Sequence, residues 1–213
     1  MTATGDTARR GAWCTVLCVL LFGVFLVRGG ALSTPAGGPP RPAPAAAAPD
    51  RGAPLPPSAA PLPHAVPRRV AVPSAGIDAP VAPVGLDADG WVAAPPPERA
   101  GTAGWYTGAV SPGQRGTAVV VGHVDNDAGP AVFYALGSLK PGTRVEVARA
   151  DGRTAVFALY AVELFPQRGF PAESVYADGP RAEIRLITCG GAYSPREGYT
   201  GNVVASGRLV AVR

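Results

Sequence analysis

Two side chains of this sequence have the chemistry of a nucleophile and its acid/base partner. They are Cys189 and His123, the only cysteine and the only histidine after residue 67. A thiol reacts best as a thiolate, and a nearby imidazolium both stabilises that thiolate and protonates a departing amine. Such a pair suits covalent catalysis by a thiol with an imidazole as its acid/base partner, although a single histidine is about as often a hydrogen-bonded structural residue.

Each of these residues follows a predicted strand. Residues 117–121 lead through a glycine to His123, and residues 182–188 lead directly to Cys189. A side chain at the end of an inner strand is rigidly aimed, and the glycines beside it leave space for a substrate backbone. We therefore expect both side chains to occupy equivalent positions in the fold.

Short apolar runs separated by Gly, Pro, Asp and Asn fill the chain from Arg68 onward. Residues 144–147, for example, alternate strictly between polar and apolar types. Strands at such short spacing are typical of an all-β barrel or sandwich. Segments such as residues 132–136 and 171–176 have the composition of single helical turns, and no long amphipathic helix is visible.

An uncharged run of 17 residues, from 11 to 27, follows Arg9 and Arg10. As a helix with a rise of about 1.5 Å per residue it would be ~25 Å long, at the short end of what spans a bilayer. We therefore predict a cytoplasmic tip and a transmembrane anchor over residues 1–30. With Arg9 and Arg10 on the cytoplasmic side, the positive-inside rule predicts that the chain after residue 27 lies outside the cell. Residues 31–33 would serve as a cleavage site if the segment were a signal peptide.

Residues 31–67 contain 12 of the 25 prolines and otherwise mostly Ala and Gly. Such a composition cannot build a core, so we predict a disordered Pro/Ala-rich spacer here and a folded domain over residues 68–213. Extended at close to 3.1 Å per residue, the spacer would hold the domain about 100 Å from the membrane. We expect a single-pass protein of the cell membrane, with its domain outside the cell and within a cell wall.

The cysteine count supports a reactive thiol. Cys14 and Cys18 lie inside the apolar run, which leaves Cys189 alone in the exported domain. A single unpaired cysteine in an exported domain either forms a disulfide with another chain or is a reactive thiol, although a buried inert cysteine is common in proteins generally. One Cys and one His cannot furnish a four-ligand zinc site, so no metal or cofactor is expected. His64, in the spacer, is most simply a solvated residue.

Charge argues against a nucleic-acid partner. The net charge is +4, but residues 68–213 carry 14 basic and 13 acidic side chains and are almost neutral. A nucleic-acid-binding domain shows a basic patch and stacking aromatics, and neither is visible here. Arg outnumbers Lys by 18 to 1, which together with abundant Ala, Gly and Pro is typical of a high-GC genome such as that of an actinobacterium.

Three motifs carry a resemblance to a known family: Gly-Trp-Tyr at 104–106, Gly-His-Val-Asp at 122–125 and Leu-Ile-Thr-Cys-Gly-Gly at 186–191. Together they resemble the sortases, most closely the class F group of actinobacteria. The Leu-Ile-Thr-Cys strand end is highly specific when it follows a Gly-His strand end by 66 residues, as it does here. The predicted anchor and spacer match the layout of that family as well.

This resemblance implies an eight-stranded sortase-type β-barrel that acts as a cysteine transpeptidase. Such an enzyme cleaves a sorting signal like Leu-Pro-X-Thr-Gly after Thr and holds the acyl group as a thioester, here on Cys189. An amine, commonly that of a cell-wall precursor, then takes the acyl group, with water as a slower competitor. The implied partners are exported proteins with a C-terminal sorting signal.

A third functional residue departs from the family pattern. Sortases usually carry an arginine at the start of the strand after the cysteine loop, where it binds the substrate backbone and the oxyanion, but this position is Asn202 here. Arg196, seven residues after Cys189, is our first candidate for that role, and Asn202 is the second because amides stabilise oxyanions. Arg185 has the strand parity of Cys189, and Arg208 lies further along the last strand.

Four further residues flank the predicted catalytic pair. Thr188 and Gly190 are expected to contact substrate, although Thr also simply suits a strand. Asp125 and Asp127 would orient His123 or repel anions, but after a strand end a solvated turn is the plainer interpretation.

Two other functions remain open. An L,D-transpeptidase also uses Cys and His on a β-rich fold, but there the two residues lie closer in sequence and the expected Ser-x-Gly-Cys environment is missing here. A wall-binding module that kept a sortase-like fold and lost turnover would account for the absent arginine.

Overall fold

The computed structural model describes residues 38–43 and 57–213. The chain divides into two compact units, Met1–Gly38 and Pro39–Arg213, and all described residues except Gly38 belong to the second. The anchor predicted at residues 1–30 lies outside the described residues. Within the described part, no helix has the length and apolar character needed to cross a membrane.

Strands dominate the described residues. They are β1 (Pro67–Val72), β2 (Ile77–Val84), β3 (Ala103–Tyr106), β4 (Gly116–Val121), β5 (Asp125–Asn126), β6 (Gly129–Pro130), β7 (Arg144–Arg149), β8 (Thr154–Pro166), β9 (Ala182–Ser194) and β10 (Gly198–Val212). Eight of them close into a barrel in the order β1-β2-β3-β4-β9-β10-β8-β7, while β5 and β6 form a separate hairpin. Neighbours are antiparallel except for the pairs β2 with β3 and β4 with β9. The predicted all-β, eight-stranded barrel is confirmed.

Helical structure in the described residues is limited to single turns. One α-helix, α1, spans Ala172–Val175, and 3-10 turns span Pro73–Ala75, Pro97–Arg99 and Tyr134–Ser138. The predicted turns at residues 132–136 and 171–176 correspond to the last 3-10 turn and to α1. Proline begins two of the 3-10 turns because its fixed φ suits the first helical position.

Two apolar clusters cover the two faces of the central strands. The larger fills the barrel with alternate residues of the strands, among them Phe157, Ile184 and Leu186. The second, which we call the outer cluster, contains Val119, Val121, Ile187, Val204, Phe170 and Val175. Phe170 and Val175 come from the connection between β8 and β9. All six residues of β4 are buried because the strand is covered on both faces.

Part of the predicted spacer packs on the barrel. The N–H groups of Ala59 and Leu62 donate to the carbonyls of Leu209 and Gly113, at 2.9 and 2.8 Å. The side chain of Leu62 also packs against the barrel core. Residues 57–66 therefore form an ordered segment in front of β1.

The buried side chain of Arg149 ties the same segment to the barrel. Its guanidinium donates to the carbonyl of Pro63 at 2.6 Å and to the carbonyl of Pro112. The ring of His64 is not simply solvated as the sequence suggests, because it shares a hydrogen bond with the side chain of Gln114 at 3.2 Å. Hydrogen bonds from a charged donor are stronger than neutral ones, so the Arg149 contact is the main polar link.

We predict that a chain beginning at residue 57 is more stable than one beginning at residue 68, by about 2 to 4 kcal/mol, because the shorter chain leaves Arg149 with one acceptor fewer and uncovers apolar surface under Leu62. Urea denaturation followed by circular dichroism measures the difference. Val66→Ala in the longer chain is the matched control, since Val66 lies in the same segment and is exposed. Equal stability of the two chains would show that the segment contributes nothing.

Candidate active site

The strands that precede His123 and Cys189 are neighbours in the barrel. β4 pairs with β9 in parallel, with Val121 opposite Ile187, and the N–H of Gly122 continues the ladder by donating to the Ile187 carbonyl at 3.1 Å. Parallel strands end at the same edge of a sheet, about 4.8 Å apart. Cys189 follows Ile187 by two residues within β9 and so shares its face, whereas His123 lies two residues beyond the end of β4. The register therefore brings together the two strand ends that lead to the predicted residues.

The ring of His123 is held by the backbone and not by a carboxylate. Its Nε2 lies 2.6 Å from the carbonyl oxygen of Pro95, and a carbonyl only accepts, so Nε2 carries the proton and donates. Asp125 instead accepts a hydrogen bond from the hydroxyl of Tyr199, and Asp127 is exposed. Neither aspartate orients the imidazole, and Nδ1 is the ring nitrogen available for proton transfer.

Cys189 is exposed, yet its thiol lies in an environment that disfavours the thiolate. Loss of hydration against the surrounding residues raises the pKa of Cys189, the nearby Asp125 carboxylate raises it further, and a backbone hydrogen bond opposes the change. Both main causes act against negative charge on sulfur. The Cys189 thiol is therefore less acidic than an ordinary cysteine, and an imidazolium beside it would lower its pKa.

Thr188 and Gly190 hold the strand end that presents the thiol. The buried hydroxyl of Thr188 donates to the carbonyl of Gly122 at 2.8 Å, which fastens β9 to the end of β4. Gly190 packs so closely on β10 that a Cβ would lie 2.7 Å from a methyl carbon of Val203. Thr188 also lines the groove beside the thiol, so its structural role and the predicted substrate contact are compatible.

The two candidates for the third residue lie at different distances from the thiol along the hairpin. Asn202 is the direct cross-strand partner of Cys189 between β9 and β10, and both residues line one groove. Such partners have Cβ atoms about 4.5 to 5.5 Å apart. Arg196 is exposed at the tip of the hairpin, between Ser194 and Gly198. Position therefore favours Asn202 as the hydrogen-bond donor near the sulfur.

Arg185 and Arg208 belong to an ionic network on the same face, away from the thiol. Glu183 accepts hydrogen bonds from both guanidinium groups, at 2.9 and 3.2 Å, and from the Tyr160 hydroxyl at 2.8 Å. Burial alone would raise the pKa of Glu183, but these hydrogen bonds and charges lower it. The guanidinium of Arg185 is thus engaged with Glu183, four residues before Cys189 in the strand.

A groove of about 350 Å³ opens at Cys189. Val121 and Ile187 of the outer cluster lie under it, Trp91 and Phe170 form aromatic walls, and no Arg or Lys of the described residues lines it. A neighbouring cavity of about 460 Å³ shares four of its lining residues, Trp91 among them. The two cavities therefore adjoin each other, and both offer apolar surface that suits the side chains of a peptide.

Sequence patterns did not point to Pro95 or Tyr199, which contact the site. Pro95 acts through its backbone carbonyl, which no side-chain motif reveals. An aromatic residue in the hairpin after the cysteine was the one available signal for Tyr199. Within residues 38–43 and 57–213, nowhere do three His, Cys, Asp or Glu side chains gather to hold a metal ion.

Solved structures with the same fold are sortases. The SrtA sortase from Actinomyces oris matches with a TM-score of 0.54 and 22% identity, over 75% of this chain and 88% of that one. Sortase A from Listeria monocytogenes matches with a TM-score of 0.52 and 20% identity, over 71% and 90% of the two chains. Sortase C-1 from A. oris matches with a TM-score of 0.52 and 19% identity, over 67% of this chain and 73% of that one. At these identities the likeness shows the fold.

The family itself is shown by sequence. A search of curated proteins found no match, whereas the model of the Sortase domain family matches residues 70–210. This range covers most of the barrel and includes His123, Cys189 and Asn202. The chain therefore belongs to the sortase family.

Proposed function

We propose that this protein is a membrane-anchored sortase of the class F type, which transfers an LPXTG-like sorting signal to an amine of the cell wall. The observation that supports the proposal best is the parallel register of β4 and β9, the strands that lead to His123 and to Cys189, together with the groove that Cys189 lines. The class, the anchor and the site in the cell wall are supported by the motifs at 122–125 and 186–191 and by the uncharged run at 11–27.

In the first step His123 takes the proton of Cys189, and the thiolate attacks the carbonyl carbon of the Thr residue in the signal. The imidazolium then protonates the departing Gly nitrogen as the peptide C–N bond breaks, which leaves a thioester. In the second step a neutral acceptor amine attacks the thioester, His123 takes its proton, and the C–S bond breaks to return the thiolate. Water in place of the amine gives hydrolysis.

Both steps pass through a tetrahedral oxyanion, for which this chain lacks the usual arginine. We assign its stabilisation to the Asn202 side-chain amide, the cross-strand partner of Cys189. An amide donor at such a position stabilises an oxyanion without adding positive charge. Arg196 remains the alternative donor if the β9–β10 hairpin bends over the thiol.

Replacement of the nucleophile and of the base should separate chemistry from binding. We expect Cys189→Ala to abolish the acyl adduct and His123→Ala to slow its formation by about 100-fold or more, the scale of positioned proton transfer. Intact-mass spectrometry of the full-length chain with a panel of Leu-Pro-X-Thr-Gly peptides measures both. A thioester on the Cys189→Ala variant would refute the assignment of the nucleophile, and no adduct on the unmodified chain would favour a binding module without turnover.

A matched pair of variants tests which residue donates a hydrogen bond to the oxyanion. Asn202→Ala should lower kcat by about 100-fold, the usual effect of removing one oxyanion donor, and Arg196→Ala by less than about threefold. Steady-state cleavage of a fluorogenic peptide gives both values. The reverse pattern would move the role to Arg196.

The thiol of Cys189 should ionise at a higher pH than an ordinary cysteine. Because desolvation and Asp125 raise the pKa of Cys189, its alkylation by iodoacetamide should still accelerate above about pH 8.5, where a free cysteine begins to level off. N-acetylcysteine alkylated in parallel is the control, and peptide mass spectrometry isolates the signal of Cys189. A midpoint below that of N-acetylcysteine would mean that a cation beside the sulfur outweighs both causes.

A further inference from the structure

A hydrogen bond crosses the strand that carries Cys189. Asp125 follows β4, Tyr199 lies at the start of β10, and the Tyr199 hydroxyl donates to the Asp125 carboxylate. Because β9 lies between β4 and β10 in the barrel, this bond spans β9 close to the thiol. Burial first, and then Asp125, raise the pKa of Tyr199, so its hydroxyl keeps the proton that holds the carboxylate in place.

Among the described residues, no Arg, Lys or His forms an ion pair with the Asp125 carboxylate. The residue is half-buried. It also lies close enough to Cys189 to raise the pKa of that thiol.

Aromatic surface lies next to this carboxylate. The rings of Tyr193 and Tyr199 are 5.0 Å apart, and Tyr193 is 63% exposed. The faces of tyrosine rings attract cations, and a half-buried carboxylate attracts them more strongly. The combination, at the edge where the thioester would form, matches a positively charged amine.

We propose that Asp125, held by Tyr199, binds the ammonium group of the acceptor amine and positions it against the thioester. This inference rests on the proposed function, since it concerns the second half of that reaction. An α-amino group has a pKa of about 7.7 to 8.0 and is largely protonated at neutral pH, so the acceptor arrives as a cation.

Two protons leave the acceptor nitrogen during aminolysis. The bound ammonium first loses one proton to solvent, and the neutral amine then attacks the thioester carbon. Its second proton passes to His123 as the new C–N bond forms and the C–S bond breaks, and the electron pair leaves with the Cys189 sulfur. Asp125 changes neither its charge nor its bonds; it raises the local concentration of the acceptor and fixes its direction of approach.

The test compares a charged and an uncharged acceptor on one acyl-enzyme. The full-length chain is acylated with a Leu-Pro-X-Thr-Gly peptide and offered either triglycine, an ammonium at neutral pH, or hydroxylamine, which is mostly neutral. The readout is the ratio of kcat/KM for triglycine to that for hydroxylamine, in which any change in acylation cancels. Asp125→Asn should lower this ratio about tenfold, as expected for losing a hydrogen bond to a charged group.

Asp127→Asn is the matched control, because it removes the same charge two residues further along an exposed loop. It should leave the ratio within about twofold of the unmodified chain, a range typical of exposed charges. A purely structural role for Asp125 would slow both acceptors alike and keep the ratio constant, which would overturn the proposal.

A second measurement needs no variant and so does not depend on folding. Raising KCl on the unmodified chain should lower the triglycine ratio at least about twofold, because salt screens the attraction of the ammonium and not of hydroxylamine. A ratio independent of salt would overturn the proposal. Failure of the unmodified chain to form any thioester would overturn the proposed function together with this inference, whereas a normal thioester with an unchanged ratio in Asp125→Asn overturns the acceptor site alone.

Discussion

The parallel pairing of β4 with β9 is the constraint on which the site depends. The two strands are far apart in sequence, and a crossover through β5 to β8 joins them. Their register is set by burial on both faces, since a slip of β4 by one residue against β9 would turn Val121 from the outer cluster into the barrel. His123, which follows β4, would then move by about 3.3 Å relative to Cys189 on β9. The Thr188 hydroxyl, bonded to Gly122, adds a second restraint at the strand ends.

The outer face of β9 and β10 changes character along its length. Cys189 and Asn202 stand opposite each other at the edge, apolar Ile187 and Val204 follow, and Glu183 and Arg208 form the next part in an ionic network. The apolar middle exists because the β8–β9 connection covers it with Phe170, whose ring packs on Trp91 at 6.0 Å. The groove is therefore lined by side chains that also stabilise the fold, and its shape follows from core packing.

Sequence reasoning succeeded where the determinants are local. Alternation and turn residues predicted an all-β barrel or sandwich, and the resemblance to sortases selected the eight-stranded barrel that the structure shows. Composition gave no sign of the contacts that residues 57–66 make with the barrel, because their partners, such as Arg149, lie far away in sequence. Separation in sequence also ranked Arg196 above Asn202, whereas the hairpin register, which no local pattern reveals, places Asn202 opposite the thiol.

The electrostatics of the site are unusual for a thiolate enzyme, because the groove has an amide where the family has a guanidinium and a carboxylate lies near the sulfur. Desolvation and Asp125 raise the pKa of Cys189, and the thiolate population falls about tenfold for each pH unit below that pKa. The neutral fraction of the acceptor amine falls with pH in the same way. Both nucleophiles of the proposed cycle thus gain from rising pH, while only the imidazolium that protonates the leaving amine loses. The Asp125 carboxylate therefore lowers the reactivity of the Cys189 thiol but raises the local concentration of the acceptor amine. The second effect favours aminolysis over hydrolysis once the thioester has formed.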